Sequence, residues 1–517
     1  MNQQLSHRQI LVVYTGLMIG MLLAALDQTI VSTALPTITG HLGGLSRYAW
    51  VGTAYILAQT ISTPMYGKLG DLYGRKLILR VAILVFLLGS ALCGLAQNMD
   101  ELIAFRAIQG LGGGGLVVSA FAIIGDVVPP RERGRYQGYM GGVFAFASIV
   151  GPLIGGFIVD NLSWRWIFYV NIPVGIVALV VVAAVLPELP GRKAHRLDLE
   201  GAALLIAWAG LLTLGLTLGG TTYPWGSGQI ISIFAVGVAA LVFFFLQERR
   251  AVEPIIPPHL FRNAIFSCSA AIGFLVACAM FGAIFYLPVF LQVVQGATAT
   301  DSGLKLLPLM GGLLVASIGS GRVISSIGRY RHFPIAGTAL IGVGTWLLSR
   351  ISASTSYLSV SVGMVVLGVG LGLVMPVLVL AVQNAVEHRD MGAATASTAF
   401  FRSIGGSFGI AIFGAIFVNR LGYWLPRDIP ASAHLDPAAI PKLLRGTPAE
   451  MKALPPAVHT GLIDAIASSL HTVFLWAIPL GVAAFLVSLL LREVPLRESG
   501  AASIAAAATD ASGEAAA

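Results

Sequence analysis

Apolar residues in this chain come in runs too long for the core of a water-soluble domain. A helix needs about 20 apolar residues to cross roughly 30 Å of hydrocarbon. Fourteen runs approach that length: 11–35, 50–67, 77–96, 102–127, 136–159, 167–186, 199–218, 229–246, 265–290, 302–324, 333–350, 358–382, 393–417 and 470–491. Short polar turns separate most of them, which predicts an all-α polytopic membrane protein. The exception is the stretch 418–469, rich in Pro and polar residues. It is expected to be a long loop holding short helices, for example around Pro437–Leu444. The Ala/Ser-rich tail from Ser499 is expected to be disordered.

Composition agrees with this reading. Hydrophobic residues make up 56% and charged residues 10% of 517, against about 25% charged in soluble domains. Mean hydropathy is +0.86. The 61 glycines suit helices packed closely in lipid. The net charge of +8 sorts by loop, which argues against a nucleic-acid patch. Loops after the even-numbered runs 2 to 10 carry Lys68, Arg75, Lys76, Arg131, Arg133, Arg135, Arg192, Lys193, Arg196, Arg249, Arg250, Arg262, Arg329 and Arg331. The short loops on the other side carry Arg47 and Arg165, with Arg350 at an edge. The positive-inside rule then places both termini in the cytoplasm and the chain in the cell (inner, cytoplasmic) membrane. The cations of 418–469 break the bias, but long loops translocate largely regardless of charge, so that loop is expected outside. Cys93, Cys268 and Cys278 lie in apolar runs without disulfide, metal or redox spacing.

The chain repeats itself. A shift of 258 residues aligns GLGGG at 110–114 with GVGLG at 368–372. In the same register Arg131 meets Arg389, Glu132 meets Asp390, Gly134 meets Gly392 and Gly151 meets Gly409. Two parallel six-helix repeats follow, with two extra helices between them. The expected organisation is an N-terminal bundle over 1–190, two inserted transmembrane helices with their loops over 191–262, a C-terminal bundle over 263–498, and a cytoplasmic tail over 499–517.

A few polar residues stand where lipid makes them costly. Asp27 lies about two-thirds of the way along run 1, near a face built by Gly16, Gly20 and Ala24. An ionisable group at such depth marks function by default. Removal from water disfavours the charged form of a carboxylate, so Asp27 is a candidate proton carrier that releases its proton to an arriving cation. A carboxyl bonded to backbone for structural reasons is the alternative. Arg106 opens run 4 and is expected near its cytoplasmic start. Arg106, Gln109, Gly110 and Gly113 share one helical face, from which the arginine would tune a nearby carboxylate, or else snorkel to the interface. In run 5, Pro152 removes a backbone donor and is expected to kink the helix. The adjoining Gly151, Gly155 and Gly156 permit close contact. The stripes Ala147–Gly151–Gly155 and Gly312–Ala316–Ser320 predict that runs 5 and 10 pack along them. Asp71 and Arg75, four apart in GKLGDLYGRK (67–76), can pair. With Asp126 and Arg131 they are candidate gate residues, a solvated loop face being the alternative. No Walker sequence, nucleophile–base pattern or zinc-ligand spacing appears, so neither enzyme activity nor a cofactor is expected.

Taken together, LDQTIVSTALP (26–36), GKLGDLYGRK (67–76), RAIQGLGG (106–113), GPLIGG (151–156) and WRWIFYVNIPVG (164–175) form a specific set. On it, residues 10–420 resemble the fourteen-helix drug/proton antiporters of the EmrB/QacA type, in the major facilitator superfamily. The resemblance implies a major facilitator fold. It also implies proton and substrate coupling through Asp27 and Arg106, an exporter motif at Gly151 and Pro152, and conformational switching through Asp71 and Arg75. Two departures stand out. Run 13 holds no acid and carries Arg402, which argues against selectivity for divalent cations. The second copy of the loop motif is degraded, with Arg329 in the register of Asp71.

The resulting expectation is a proton-coupled multidrug exporter of amphipathic or cationic compounds, working by alternating access. Its partners would be small amphipathic substrates, protons and the bilayer, with no nucleic acid. It would be a monomer, with an envelope partner at 418–469 as a further option. A dedicated exporter of an endogenous lipid, siderophore or antibiotic is the alternative, and a non-transporting receptor or sensor is a third.

Overall fold

The computed structural model describes residues 7–42, 48–186, 198–220, 222–297, 299–429 and 455–496. It resolves the apolar runs into fourteen helices. In the first half these are α1 (His7–Leu42), α2 (Tyr48–Tyr73), α3 (Arg75–Leu95), α4 (Met99–Val127), α5 (Pro130–Asn161) and α6 (Asn171–Val185). Two further helices follow, α7 (Leu199–Leu218) and α8 (Gly228–Glu248). The second half holds α9 (Ala264–Val289), α10 (Leu307–Ile327), α11 (His332–Leu348), α12 (Tyr357–Ala385), α13 (Met391–Asp428) and α14 (Pro456–Leu489). Among the described residues twelve spans are long and apolar enough to cross a membrane, the one that ends in α6 starting at Trp166. α11 is shorter, at 17 residues. α2 carries Thr60, Ser62, Thr63 and Lys68, and all four are turned inward and buried.

The 258-residue repeat is visible in how the helices touch. A Cβ on Gly112 of α4 would lie 2.7 Å from the Ala82 carbonyl of α3, and one on Gly370 of α12 would lie 2.7 Å from the Gly337 carbonyl of α11. Gly110 and Gly114 take the backbone of α2 in the same way that Gly368 and Gly372 take that of α10. Ser62 of α2 donates to the Leu111 carbonyl (3.1 Å) and Ser317 of α10 to the Gly372 carbonyl (3.3 Å). Without a hydrophobic drive between helices in lipid, such close backbone approach supplies the packing energy. Gly112→Val and Gly370→Val should therefore cost similar amounts, at least the 1–3 kcal/mol or so typical of overpacking. Thermal unfolding of the two purified variants checks the symmetry.

The inserted pair packs mainly on itself and on one seam between the halves. Trp208 of α7 meets Phe244 of α8 (ring centroids 6.0 Å) and Phe400 of α13 (5.4 Å). Ile61 of α2 joins the same cluster. Beyond α8, Glu253 forms an ion pair with Lys68 of α2 at 2.6 Å.

Two expectations need correction. α5 and α10 do pack together, but not along the stripes named from the sequence. The contact runs through Gly134, set against Gly321, and Gly138, set against Ser317. Gly151 instead lies against Thr29 of α1, whose hydroxyl donates to the Ala147 carbonyl (3.1 Å). Gly312 turns to Val365 and Val369 of α12. Small residues recur along both helices, and the crossing point selects among them. The stretch 418–469 is also helical at both ends, since α13 continues to Asp428 and α14 begins at Pro456. Leu421 and Leu425 extend the buried face of α13 into the second-half core, so that helix does not stop at 417. The proposed helix near 437–444 and the tail over 499–517 lie outside the described residues.

Candidate functional site

Three helices of the first half converge on Asp27, which is fully buried. One carboxylate oxygen accepts from Arg106 of α4 at 2.6 Å. The other accepts from Gln109 at 2.8 Å and from Asn171, at the start of α6, at 2.9 Å. Gln109 and Asn171 each also donate to the hydroxyl of Ser90 on α3, at 3.1 and 3.0 Å. Ser90 passes the chain on to the Phe168 carbonyl (2.9 Å). Ser90, Arg106, Gln109 and Asn171 are at most 2% exposed, so the whole network is shut off from water.

Arg106 does not depend on Asp27 alone. Its guanidinium donates to Gln109 Oε1 (2.7 Å) and the Val51 carbonyl (3.4 Å), and lies 4.2 Å from the centre of the Tyr55 ring. Gly110 and Gly113 admit Tyr55 by lacking a Cβ. If Asp27 takes a proton, Arg106 keeps acceptors and a ring to hold it.

The sequence brought Asp27, Arg106 and Gln109 together correctly, but placed Arg106 at the wrong end of the bundle. Asp126, twenty residues further along α4, is the one that reaches Arg75 of the 67–76 turn. At 1.5 Å per residue Arg106 is about 30 Å from that level, at the opposite end. Ser90 and Asn171 were missed. Neutral polar residues are common in membrane helices, and Asn171 was visible only as part of WRWIFYVNIPVG.

A second cluster sits at the 67–76 turn. Asp71 pairs with Arg75, and Arg75 also donates to Asp126 (2.9 Å) and to the Gly67 carbonyl (3.3 Å). Asp71 then crosses to the second half, accepting from the backbone N–H of Gly392 (3.2 Å) and Ala393 (2.9 Å) at the start of α13. A carboxylate at a helix N-terminus meets both unsatisfied donors and the positive end of the dipole. Gly67 lies against Gly392 and Ala396. Gln383 of α12 adds a second bridge. It accepts from Gln137 of α5 (2.9 Å), and donates to the Phe121 carbonyl of α4 (2.9 Å) and to Thr395 of α13 (3.3 Å). Arg131 is exposed at the start of α5. Arg133 is buried there and folds back onto the carbonyls of Val128 (2.8 Å) and Gly125. At this end, then, the halves are joined by charge, by amide pairs and by the glycine contact of α5 with α10.

The Major Facilitator Superfamily profile matches residues 17–410. Multidrug transporter protein MdtP of Bacillus subtilis (strain 168) is 42% identical over 408 residues, 79% of this chain and 75% of that one. Multidrug resistance protein 3 of the same organism is 37% identical over 483 residues, 91% of this chain and 93% of its own. Among solved structures, the proton:xylose symporter XylE superposes with a TM-score of 0.63 at 14% identity, covering 95% of this chain and 97% of that one.

Proposed function

The chain belongs to the Major Facilitator Superfamily, and we propose that within it the protein is a proton-driven exporter of amphipathic compounds. The observation that carries this reading is the sealed Asp27–Arg106 pair with its shell of Gln109, Asn171 and Ser90. It is an ionisable site inside one half, away from the joined ends of the two halves, and suited to exchanging a proton as the halves rock. Efflux relatives at 37–42% identity support export over uptake. In this reading the protein lies in the cytoplasmic membrane with both termini inside, and the 67–76 turn is at the cytoplasmic face. The bundles over 1–190 and 263–498 are the moving bodies, and 191–262 is the insert. Gly151 seats α5 against Thr29 of α1, and with Pro152, Gly155 and Gly156 it makes up the exporter motif. Asp71, Arg75, Asp126 and Arg131 form the inner gate. The proton gradient is the energy source and no cofactor takes part.

The test is flux in proteoliposomes holding the purified protein, with a pH gradient imposed across the membrane. An uncharged amphipathic dye should move against its gradient only while the pH gradient lasts. Dye movement indifferent to the pH gradient would sink the reading.

A further inference from the structure

The second half carries one charge in its interior that the mechanism above does not use. Arg402 stands eleven residues into α13, about 16 Å from the inner end of that helix at 1.5 Å per residue. That is close to mid-depth in a core of roughly 30 Å. It is half-buried. Among the described residues no acceptor, carboxylate or aromatic face engages it.

Its neighbours on the helix show where it points. Gly392 and Ala396 face α2. Gly405 and Gly409 face Phe274 and Cys278 of α9. Thr395, two turns before Arg402, accepts from Gln383 of α12. Gly406, one turn after it, lies against Phe281 of α9. At about 100° per residue Arg402 falls between Gly409 and Thr395, at the edge of the α9 contact that turns toward α12 and α2. The opposite side of α13 is taken by Phe400, which meets Trp208 of the insert. The guanidinium therefore faces the space between the halves. The repeat places Phe144 of α5 at the equivalent position, 258 residues earlier, so the feature belongs to one half only.

An arginine at mid-depth costs several kcal/mol and is kept when it has a partner. Asp27 and Arg106 already satisfy each other, so the two clusters leave Arg402 as an uncompensated positive charge. We propose that Arg402 is a substrate-binding residue for an anionic headgroup, and that the protein exports amphipathic monoanions bearing a carboxylate or sulfonate. The guanidinium fork matches such a group bidentately, while the apolar part of the molecule lies against α9 and α13. This rests on the export reading above and narrows its substrate class away from cations.

Two probes separate charge from shape: anilinonaphthalene sulfonate and its uncharged parent, phenylnaphthylamine. Both are followed in proteoliposomes under an imposed pH gradient, and the readout is the ratio of their KM values. Arg402→Met should raise the ratio of sulfonate KM to parent KM at least tenfold over wild type. Arg402→Lys should restore part of it, which a merely structural role would not do. If Arg402→Met does not fold, Arg402→Gln carries the same expectation. An unchanged ratio overturns the anion assignment, while pH-driven movement of the parent leaves the export reading standing. If neither probe responds to the pH gradient, the export reading falls and this one falls with it.

Discussion

Asp27→Asn is expected to reduce pH-driven efflux to the level of empty vesicles. Asparagine keeps the shape and one acceptor for Gln109 and Asn171, but it cannot carry a proton. It also leaves Arg106 as a buried cation without its counter-ion. Breaking a buried pair by removing one partner costs about 3–5 kcal/mol, so lost stability must be separated from lost coupling. The double variant Asp27→Asn with Arg106→Gln does this. Replacing both charges removes the unpaired cation, and it should melt above the single variant. It should still fail to couple flux to the pH gradient. Asp27→Glu, which keeps the titratable group on a longer arm, should retain some coupled flux. Thermal unfolding and proteoliposome flux on the same preparations read both effects. Proton-driven efflux from the double variant would remove Asp27 from the mechanism.

Legibility in the sequence followed cost. Asp27 and Arg106 stood out because lipid makes an ionisable side chain expensive, and the i, i+3 spacing placed Gln109 beside Arg106 on one face. Asp71 and Arg75 were legible for the same local reason. Ser90 and Asn171 cost little in a membrane helix and gave no such signal, yet they complete the shell of Asp27. Long-range partners were less legible still. Asp71 finds the N–H groups of Gly392 and Ala393 more than 300 positions away, and nothing local in either segment names the other.

The fold was read well where periodicity decided it and less well where packing did. Each of the fourteen helices overlaps a run read from apolar length, and the 258-residue shift reappears as matching glycine contacts of α4 and α12. The pairing of α5 with α10 was also legible. The stripe was not, because Gly134–Gly138 and Ala147–Gly151–Gly155 have the same four-residue spacing and only the crossing geometry chooses between them. The end of α13 was misplaced because the Pro-rich, polar composition of 418–469 as a whole was read as loop from its first residue. In the structure Leu421 and Leu425 carry its buried face into that stretch.

Neutralising Asp71 is the second large effect expected, and it should act on rate rather than affinity. Asp71 joins the two halves at the 67–76 turn by capping α13 and pairing with Arg75. A carboxylate at a helix N-terminus is worth about 0.3–1 kcal/mol, and up to ~2 where partly buried. Asp71→Asn keeps an acceptor for one of the two N–H groups but loses the charge. A loss of one or two kcal/mol changes a two-state ratio roughly 5–30-fold. Turnover should fall by a factor in that range if closing the inner end limits the cycle. Arg402 and Asp27 lie well away along the helix axes, so equilibrium binding of an amphipathic probe should stay within about twofold. Gly392→Ala tests the latch from the other half, because the added Cβ would lie 2.7 Å from an Asp71 carboxylate oxygen. It should slow flux in the same way by crowding Asp71 and the Arg75 guanidinium while leaving every charge in place. Binding that weakens in step with the rate, in either variant, would place Asp71 at the substrate site instead of at the gate.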